Sequence, residues 1–523
     1  MNPLTILGAR AAVPLADAAP IKPAVELGTP LLLTIAALGV AVLLVMIIRF
    51  KIQAFVALLT VSIAVAVAAQ IPLTDIFTVV SNGVGSTMGK VALLIALGAI
   101  LGRMIEVSGG VQSLADHFVE RFGRTRVAVS LTLVGFLVAI PVFFEVGVIV
   151  LVPIVYAFAK LLNVHPIKFG LPMAGIMLSI HVAVPPHPGI VAGAGVLGAD
   201  IGLITMISLA ICVPLGFLSY WVARIMNRRP MELLPTVKAQ LDEYGSPETI
   251  HAGHEHPLGN GGAGNSRPGN SGSENSGSAS GGVATALRTP GAVMAPPKPG
   301  LIVALIAAPI VQIMLGTIGT LTLPKSNPAY GVASFIGNPF LALLVAVGIS
   351  FFTLAVRRGW SLKQTGEIFE QSLPPIASIL MIVAAGGVFG EVLRVSGIGA
   401  ALSTTLDGIG LPIILLGFVI SLALRAAQGS ATVAIVTTTG LLTAAIQNGG
   451  YTPAQIAVIV IAIGFGSLGL SHVTDAGFWV VVRYYGLTVA DGLKTWTVLT
   501  TVLGVAGFLL TSVAWLLVGG LGH

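Results

Sequence analysis

The chain has 523 residues, of which 55% are hydrophobic and 9% charged, with a mean hydropathy of +0.98. Soluble globular proteins carry about 25% charged residues, and no soluble fold of this size could hide so much apolar surface behind so few polar groups. The composition therefore reads as an integral membrane protein. It excludes disorder, a coiled coil, a nucleic-acid-binding domain and a disulfide scaffold as descriptions of the whole chain. The net charge of +6 is assigned to basic cytoplasmic loops, not to nucleic acid. The one cysteine, Cys212, excludes an intrachain disulfide.

Residues 1–29 hold Arg10 and small residues without a clear apolar signal-peptide core, and read as an N-terminal extension. Beyond them, the stretches 30–48, 127–144, 146–159, 201–223, 301–324, 326–356, 371–390, 408–424, 426–474 and 495–522 contain no Asp, Glu, Lys or Arg. A helix needs about 20 apolar residues to cross a bilayer. A barrel would show alternating segments of about 10 residues instead. The expectation is an all-α polytopic protein with roughly ten full spans, or about 10–12 membrane segments in all. Two of these segments, around 169–198 and 455–486, are interrupted by Pro and Gly and read as re-entrant or discontinuous.

The spans fall into a first membrane half, 30–227, and a second, 300–523, joined by a linker, 228–299. Residues 228–298 hold 12 of the chain's 46 charges, and 19 of the 24 residues in 259–282 are Gly, Ser or Asn. That composition cannot bury a core and predicts flexible coil. Arg224, Arg228 and Arg229 at its start place it in the cytoplasm. His251, His254 and His256 with Glu255 match no standard metal-site spacing, so no metal is expected.

The halves resemble each other. Gly98–Gly109 (GAILGRMIEVSG) and Gly386–Gly397 (GGVFGEVLRVSG) share five of twelve residues at an offset of 288. Gly135-Phe136 and Gly147 recur as Gly417-Phe418 and Gly429, and Gly189 and Gly198 as Gly477 and Gly486. Three matches in order predict an internal repeat. Arg121, Arg124 and Arg126 follow the first copy, whereas 401–414 carries only Asp407. Arg357, Arg358 and Lys363 precede the second copy, whereas 65–78 carries only Asp75. The charge pattern predicts halves of opposite membrane topology, although Lys160 and Lys168 fall on the side it leaves non-basic. Inverted repeats with broken helices characterise many secondary transporters.

Isolated charges locate candidate chemistry, because an ionisable group at the centre of a span costs about 2.5–3.5 kcal/mol on insertion scales. Glu145 is the only charge from 127 to 159, between Pro141 and Gly147. Arg425 opens an uncharged run that Asp475 closes. Asp200 also stands alone, but Gly198-Ala-Asp200 reads equally as a turn and helix cap. Lys90 reads as a snorkelling lysine. His181-Val-Ala-Val-Pro-Pro-His187-Pro-Gly189 cannot continue as helix, and irregular backbone at membrane depth belongs beside a cavity or inside protein. His472-Val-Thr-Asp475-Ala-Gly477 is its counterpart in the second half. In Arg425-Ala-Ala-Gln428-Gly429-Ser430-Ala-Thr432, the glycine would free a half-helix N-terminus whose dipole favours an anion. An arginine beside it suggests a carboxylate substrate.

These segments resemble the gluconate permease family of proton symporters. The resemblance rests on Arg49-Phe-Lys51, Gly98–Gly110, Phe144-Glu-Val-Gly147, Pro185-Pro-His-Pro-Gly189, Leu424–Val433, Ser471–Trp479, Gly486-Leu-Thr488 and Lys494-Thr-Trp496, and covers about residues 30 to 520. The extension and the linker are longer than the family suggests, and Thr474 stands where the family more often has Asn. The resemblance implies a proton-coupled symporter for a small hydroxy acid, gluconate first, in a bacterial inner membrane. No nucleophile–base pair or metal motif stands out in the sequence, so no enzyme activity and no cofactor are expected, and superfamily analogy suggests a homodimer. Arg425, Gln428, Gly429, Ser430, Thr432, Pro186, His187 and Gly189 are the expected substrate contacts. Glu145, Asp475 and His472 are the candidates for the coupled proton. Two alternatives stand beside this reading: a permease for D-serine or another small carboxylate, and a membrane-embedded sensor using the histidine-containing loop.

Overall fold

The computed structural model describes residues 21–123, 126–228, 231, 233–235, 237, 238, 296–409 and 411–520. The histidine cluster at 251–256 and the Gly/Ser/Asn tract at 259–282 lie outside the described residues. No strand occurs among those described. Among them, nine helical stretches are long and apolar enough to cross a membrane, and four shorter apolar helices accompany them.

The first half begins with α1 (Thr29–Ile48), whose Pro30 sits in the first turn, where a missing N–H is harmless. An apolar run that the charge map did not count as a span forms α2 (Ala54–Ala68). Next comes α3 (Leu73–Val107), 35 residues long. Lys90 is exposed on it and its Nζ donates to the Gly195 carbonyl at 3.3 Å, so its charge lies outside any buried site. Gly109, at φ +76°, turns the chain into the amphipathic α4 (Gly110–Phe122).

Two broken pairs follow. The first is α5 (Val127–Val138) and α6 (Phe144–Leu161), split at Pro141. The second is α7 (Ile167–Ala183) and α8 (Pro188–Leu197), split by a segment that contains the cis Pro185–Pro186 bond. The last helix of this half is α9 (Ile201–Met226), capped by Asp200, whose carboxylate accepts from the Leu203 N–H at 2.7 Å. Asp200 is thus a structural cap.

The second half contains α10 (Pro299–Thr322), α11 (Pro328–Ile336), α12 (Pro339–Ser350) and α13 (Leu362–Ser372), followed by α14 (Pro374–Val395) and α15 (Ile398–Ile409). Two broken pairs recur here. They are α16 (Ile413–Gln428) with α17 (Ala431–Asn448), and α18 (Pro453–Gly466) with α19 (Ala476–Tyr484). The described chain closes with α20 (Val498–Gly520).

The apolar pattern explains which helices are central. On α7 nearly every residue is buried, as is all of α18 from Ala457 onward, with Ala457 through Ile463 fully so. A helix apolar on all faces belongs where all faces are covered. Both run into breaks, so the irregular backbone lies inside protein, where it is tolerated. A second apolar cluster, separate from this core, joins α1, α2, the first half of α3 and the end of α14. There Gly83 lies directly against the backbone of Gly387 and Val388, the small-residue approach expected of membrane helices.

The ends of the linker are anchored crosswise. Leu234 N–H donates to the Gly486 carbonyl at 3.1 Å, and the buried Val237 packs on the same turn of the second half. Ser113, on α4 of the first half, donates to the Pro297 carbonyl at 2.6 Å.

Candidate functional site

Three helix starts converge on one polar cavity of about 110 Å³. Phe144 and Glu145 come from the first turn of α6. Ser430, Ala431 and Thr432 come from the start of α17, and Asp475, Ala476 and Gly477 from the start of α19. Leu178 and His181 on α7, with Arg425 and Gly429 at the end of α16, complete the wall. Each start exists because a breaker precedes it: Pro141 before α6, Gly429 before α17, and the Gly469–Thr474 segment before α19. Helix N-termini carry unpaired N–H groups and a partial positive charge, so three of them facing one space favour an anion.

Gly429 makes the meeting possible. It sits at φ +83°, a conformation that favours glycine, and a Cβ there would run into the Thr474 carbonyl group. The break between α16 and α17 therefore touches the break before α19 through backbone. Ser430 then caps α17, accepting from Val433 N–H at 3.4 Å, and Asp475 caps α19, accepting from Gly477 N–H at 3.0 Å.

Arg425 is the buried cation. It is 2% exposed and Asp475 4%. Its Nη2 donates to Asp475 Oδ2, its Nη1 donates to the Gly429 carbonyl at 2.6 Å, and its Nε has no partner among the described residues. Asp475 Oδ2 also accepts from the Ser471 hydroxyl, and Ser471 Oγ accepts from Trp496 Nε1–H at 2.7 Å. Removing one member of such a pair would strand a buried charge, typically at 3–5 kcal/mol. Glu145 lines the same cavity, and Asp475 rather than Glu145 forms the ion pair with Arg425 among the described residues. One guanidinium thus faces two carboxylates.

The structure divides the sequence-level candidates. Arg425, Gly429, Ser430, Thr432, Glu145 and Asp475 line the cavity together. Gly189 supports it from behind, where a Cβ would approach Thr432 Cα at 3.2 Å. His187 is 2% exposed, bonds through Nε2 to the Ala139 carbonyl and lies behind His181, with ring centroids 4.5 Å apart. It ties the α7–α8 break to the α5–α6 break and does not line the cavity. Pro186 lines a different, apolar cavity of about 30 Å³. Gln428 and His472 are not among the lining residues, and His472 contributes its carbonyl to Asp475 N–H at 2.8 Å.

Three residues that the sequence reading did not name as site residues take part. His181 faces the cavity with a buried Nδ1 that has no partner among the described residues, and Ser471 holds Asp475 while Trp496 holds Ser471. The signal for His181 was its place one helical end before the Pro-Pro-His break; Ser471 and Trp496 lie within segments already noted but carry no charge to mark them.

Comparison with known proteins agrees with this architecture. A family model described as GntP family permease matches residues 31–249 and 289–518, passing over 250–288. The chain is 46% identical to the inner membrane permease YgbN of Escherichia coli, covering 94% of this chain and 99% of that one. It is 33% identical to the low-affinity gluconate transporter of the same organism, over 93% and 99%. With its Gnt-II system L-idonate transporter it shares 31%, over 91% and 97%. Among solved structures, Neisseria gonorrhoeae MtrF superposes with a TM-score of 0.57 at 14% identity over 84% of each chain, a likeness of fold. The family match spans nearly the whole chain, the relatives are permeases and transporters rather than enzymes, and the helices are those of a multi-pass inner membrane protein; the chain belongs to the GntP permease family.

Proposed function

We propose that the protein is a secondary transporter that takes up a gluconate-like sugar acid together with a proton. The observation that carries this reading is the cavity at the three helix starts, with one buried arginine and two carboxylates. The arginine and the helix dipoles suit a monocarboxylate. Ser430, Thr432 and His181 offer hydrogen-bonding groups to hydroxyls. The relatives named for gluconate and L-idonate support a sugar acid over an amino acid. A carboxylate of the site is the natural carrier of the proton, since neutralising it lowers the charge that must sit in a low-dielectric interior.

The element order supports an inverted repeat. From α3 to α9, a long helix, a short helix begun at a positive-φ glycine, two broken pairs and a closing helix follow one another, and α14 to α20 repeat the order. Gly109 and Gly397 occupy equivalent turns, at φ +76° and +80°. The opposed distribution of basic residues supports opposite insertion of the halves. We further propose that residues 228–299 are a spacer between them, a reading supported by the family match passing over 250–288 within it.

Uptake by proteoliposomes of labelled gluconate, L-idonate and D-serine, with and without an inward proton gradient, tests the reading. Gradient-stimulated accumulation of a sugar acid is expected. Accumulation of D-serine alone, or uptake indifferent to the gradient, would contradict it.

A further inference from the structure

The polar groups around Arg425 specify more than an anion site. Arg425 Nη2 is occupied by Asp475 and Nη1 by the Gly429 carbonyl, while Nε is buried without a partner among the described residues. A substrate carboxylate gripping the guanidinium in bidentate fashion on its open edge needs Nε and Nη2 together. It would bring a further negative charge onto the nitrogen that Asp475 holds. The cavity already sets two carboxylates against one guanidinium, and no second Lys or Arg lines it. In a desolvated space such an excess is relieved by protonation or by departure of one anion.

Asp475 is built to leave the arginine without leaving the site. Its Oδ1 stays on the Gly477 N–H at 3.0 Å, and its Oδ2 lies on the Ser471 hydroxyl. That hydroxyl has one proton to give and two lone pairs. Trp496 Nε1–H uses one lone pair, at 2.7 Å, and fixes the oxygen in place. Toward an ionised Asp475 the hydroxyl donates. Toward a protonated Asp475 it rotates and accepts on the second lone pair. Among the described residues Glu145 has no comparable set of side-chain partners. Among the described residues, the other titratable and charged groups at the cavity are His181 on α7 with His187 behind it, Glu145 on α6 and Arg425 itself, and His472, on the segment leading into Asp475, is half-buried and does not line it. On the neighbouring turn, Asp491 is held by Thr488 at 2.6 Å and Lys494 is exposed.

We propose that the substrate carboxylate takes the place of the Asp475 carboxylate on Arg425, and that Asp475, so released, binds the co-transported proton and donates it in a hydrogen bond to Ser471. One ion pair is exchanged for another, and one proton passes from solvent to an Asp475 carboxylate oxygen. The charge of the cavity is then the same empty and loaded. Release on the far side reverses both steps. Coupling of one proton per substrate follows from the exchange, because an unprotonated Asp475 competes for the arginine. This inference rests on the sugar-acid symport reading above and names the coupling carboxylate within it.

Purified protein in weakly buffered detergent, with a pH-indicator dye, reads protons taken up on addition of gluconate or L-idonate, while binding is followed separately with the labelled acid. Wild type is expected to take up one proton per bound substrate. Asp475→Asn should bind substrate with no proton uptake. Infrared difference spectra of wild-type protein carrying ¹³C-labelled aspartate carboxyls make the test independent of how the variants fold. A substrate-induced protonated-carboxyl band that shifts with the aspartate label is expected. Proton uptake retained in Asp475→Asn, or a band indifferent to the label, overturns the exchange and leaves the transport reading standing. Failure of wild type to bind either acid overturns the transport reading, and the exchange with it.

Discussion

At the scale of single residues, the site depends on the shape of Arg425 as well as its charge. Lysine keeps the charge but loses the planar fork. Arg425→Lys is expected to weaken gluconate binding about tenfold, the loss of one charged hydrogen bond. Arg425→Ala also strands the buried Asp475 and is expected to weaken it by on the order of 10²-fold. Equilibrium binding to purified variants checks both, and unchanged affinity in the two would remove Arg425 from the site. Glu145, Arg425 and Asp475 stand out in the sequence because a lone charge in a long apolar run is expensive in lipid. Their arrangement was not legible, because the Arg425–Asp475 pair joins residues 50 apart and nothing in one sequence says which carboxylate the arginine meets. His187 and His181 show the same limit: both belong to one motif, but only the backbone path sends His181 into the cavity and leaves His187 on the Ala139 carbonyl.

A residue outside the spans sets a pH limit on stability. His165, in the turn between α6 and α7, accepts through Nδ1 from Ile167 N–H at 3.2 Å, and its Nε2 is buried without a partner among the described residues. Burial, reinforced by Lys168 and opposed by Asp491, lowers its pKa from the usual 6.5 to about 4. The unfolded chain therefore binds the proton first. The stability conferred by neutral His165 is fully present above pH 6.5 and is lost as the pH falls toward about 4. Melting temperature in detergent should fall across that window in wild type and fall less in His165→Asn; equal slopes would refute the assignment.

At the scale of elements, the breaks are what make the site. Gly429 shows it most directly, since its left-handed backbone and its contact with Thr474 leave no room for a side chain. A non-glycine residue in this conformation costs roughly 1–2 kcal/mol before any clash. Gly429→Ala is expected to lower the melting temperature and abolish transport while still reaching the membrane; wild-type uptake in this variant would show that the breaks need not touch. Proline and glycine clusters made the interruptions of α7–α8 and α18–α19 legible, because they deny the helix its donors or its stiffness. Span counting from charge alone was less reliable. The uncharged run 127–144 is not one span, because Pro141 ends it, and the run containing α2 was passed over between Lys51 and Asp75.

For the whole molecule, the anchoring of Leu234 on Gly486 and of Pro297 on Ser113 means that the two ends of the 228–299 segment are held by packed contacts as well as by chain. Deleting 259–282, which includes neither Leu234 nor Pro297, should leave gluconate uptake within about twofold of wild type, in keeping with the small dependence of loop closure on length. A deletion that reaches the membrane but does not transport would refute the spacer role. The most direct measurement of the central claim uses proteoliposomes loaded with a pH-sensitive dye and given an inward gluconate gradient with no initial pH difference. If substrate and proton move together, the lumen acidifies as gluconate enters, and neither protein-free vesicles nor Arg425→Ala vesicles show the change. Gluconate entry at wild-type rates with a constant internal pH would contradict the account.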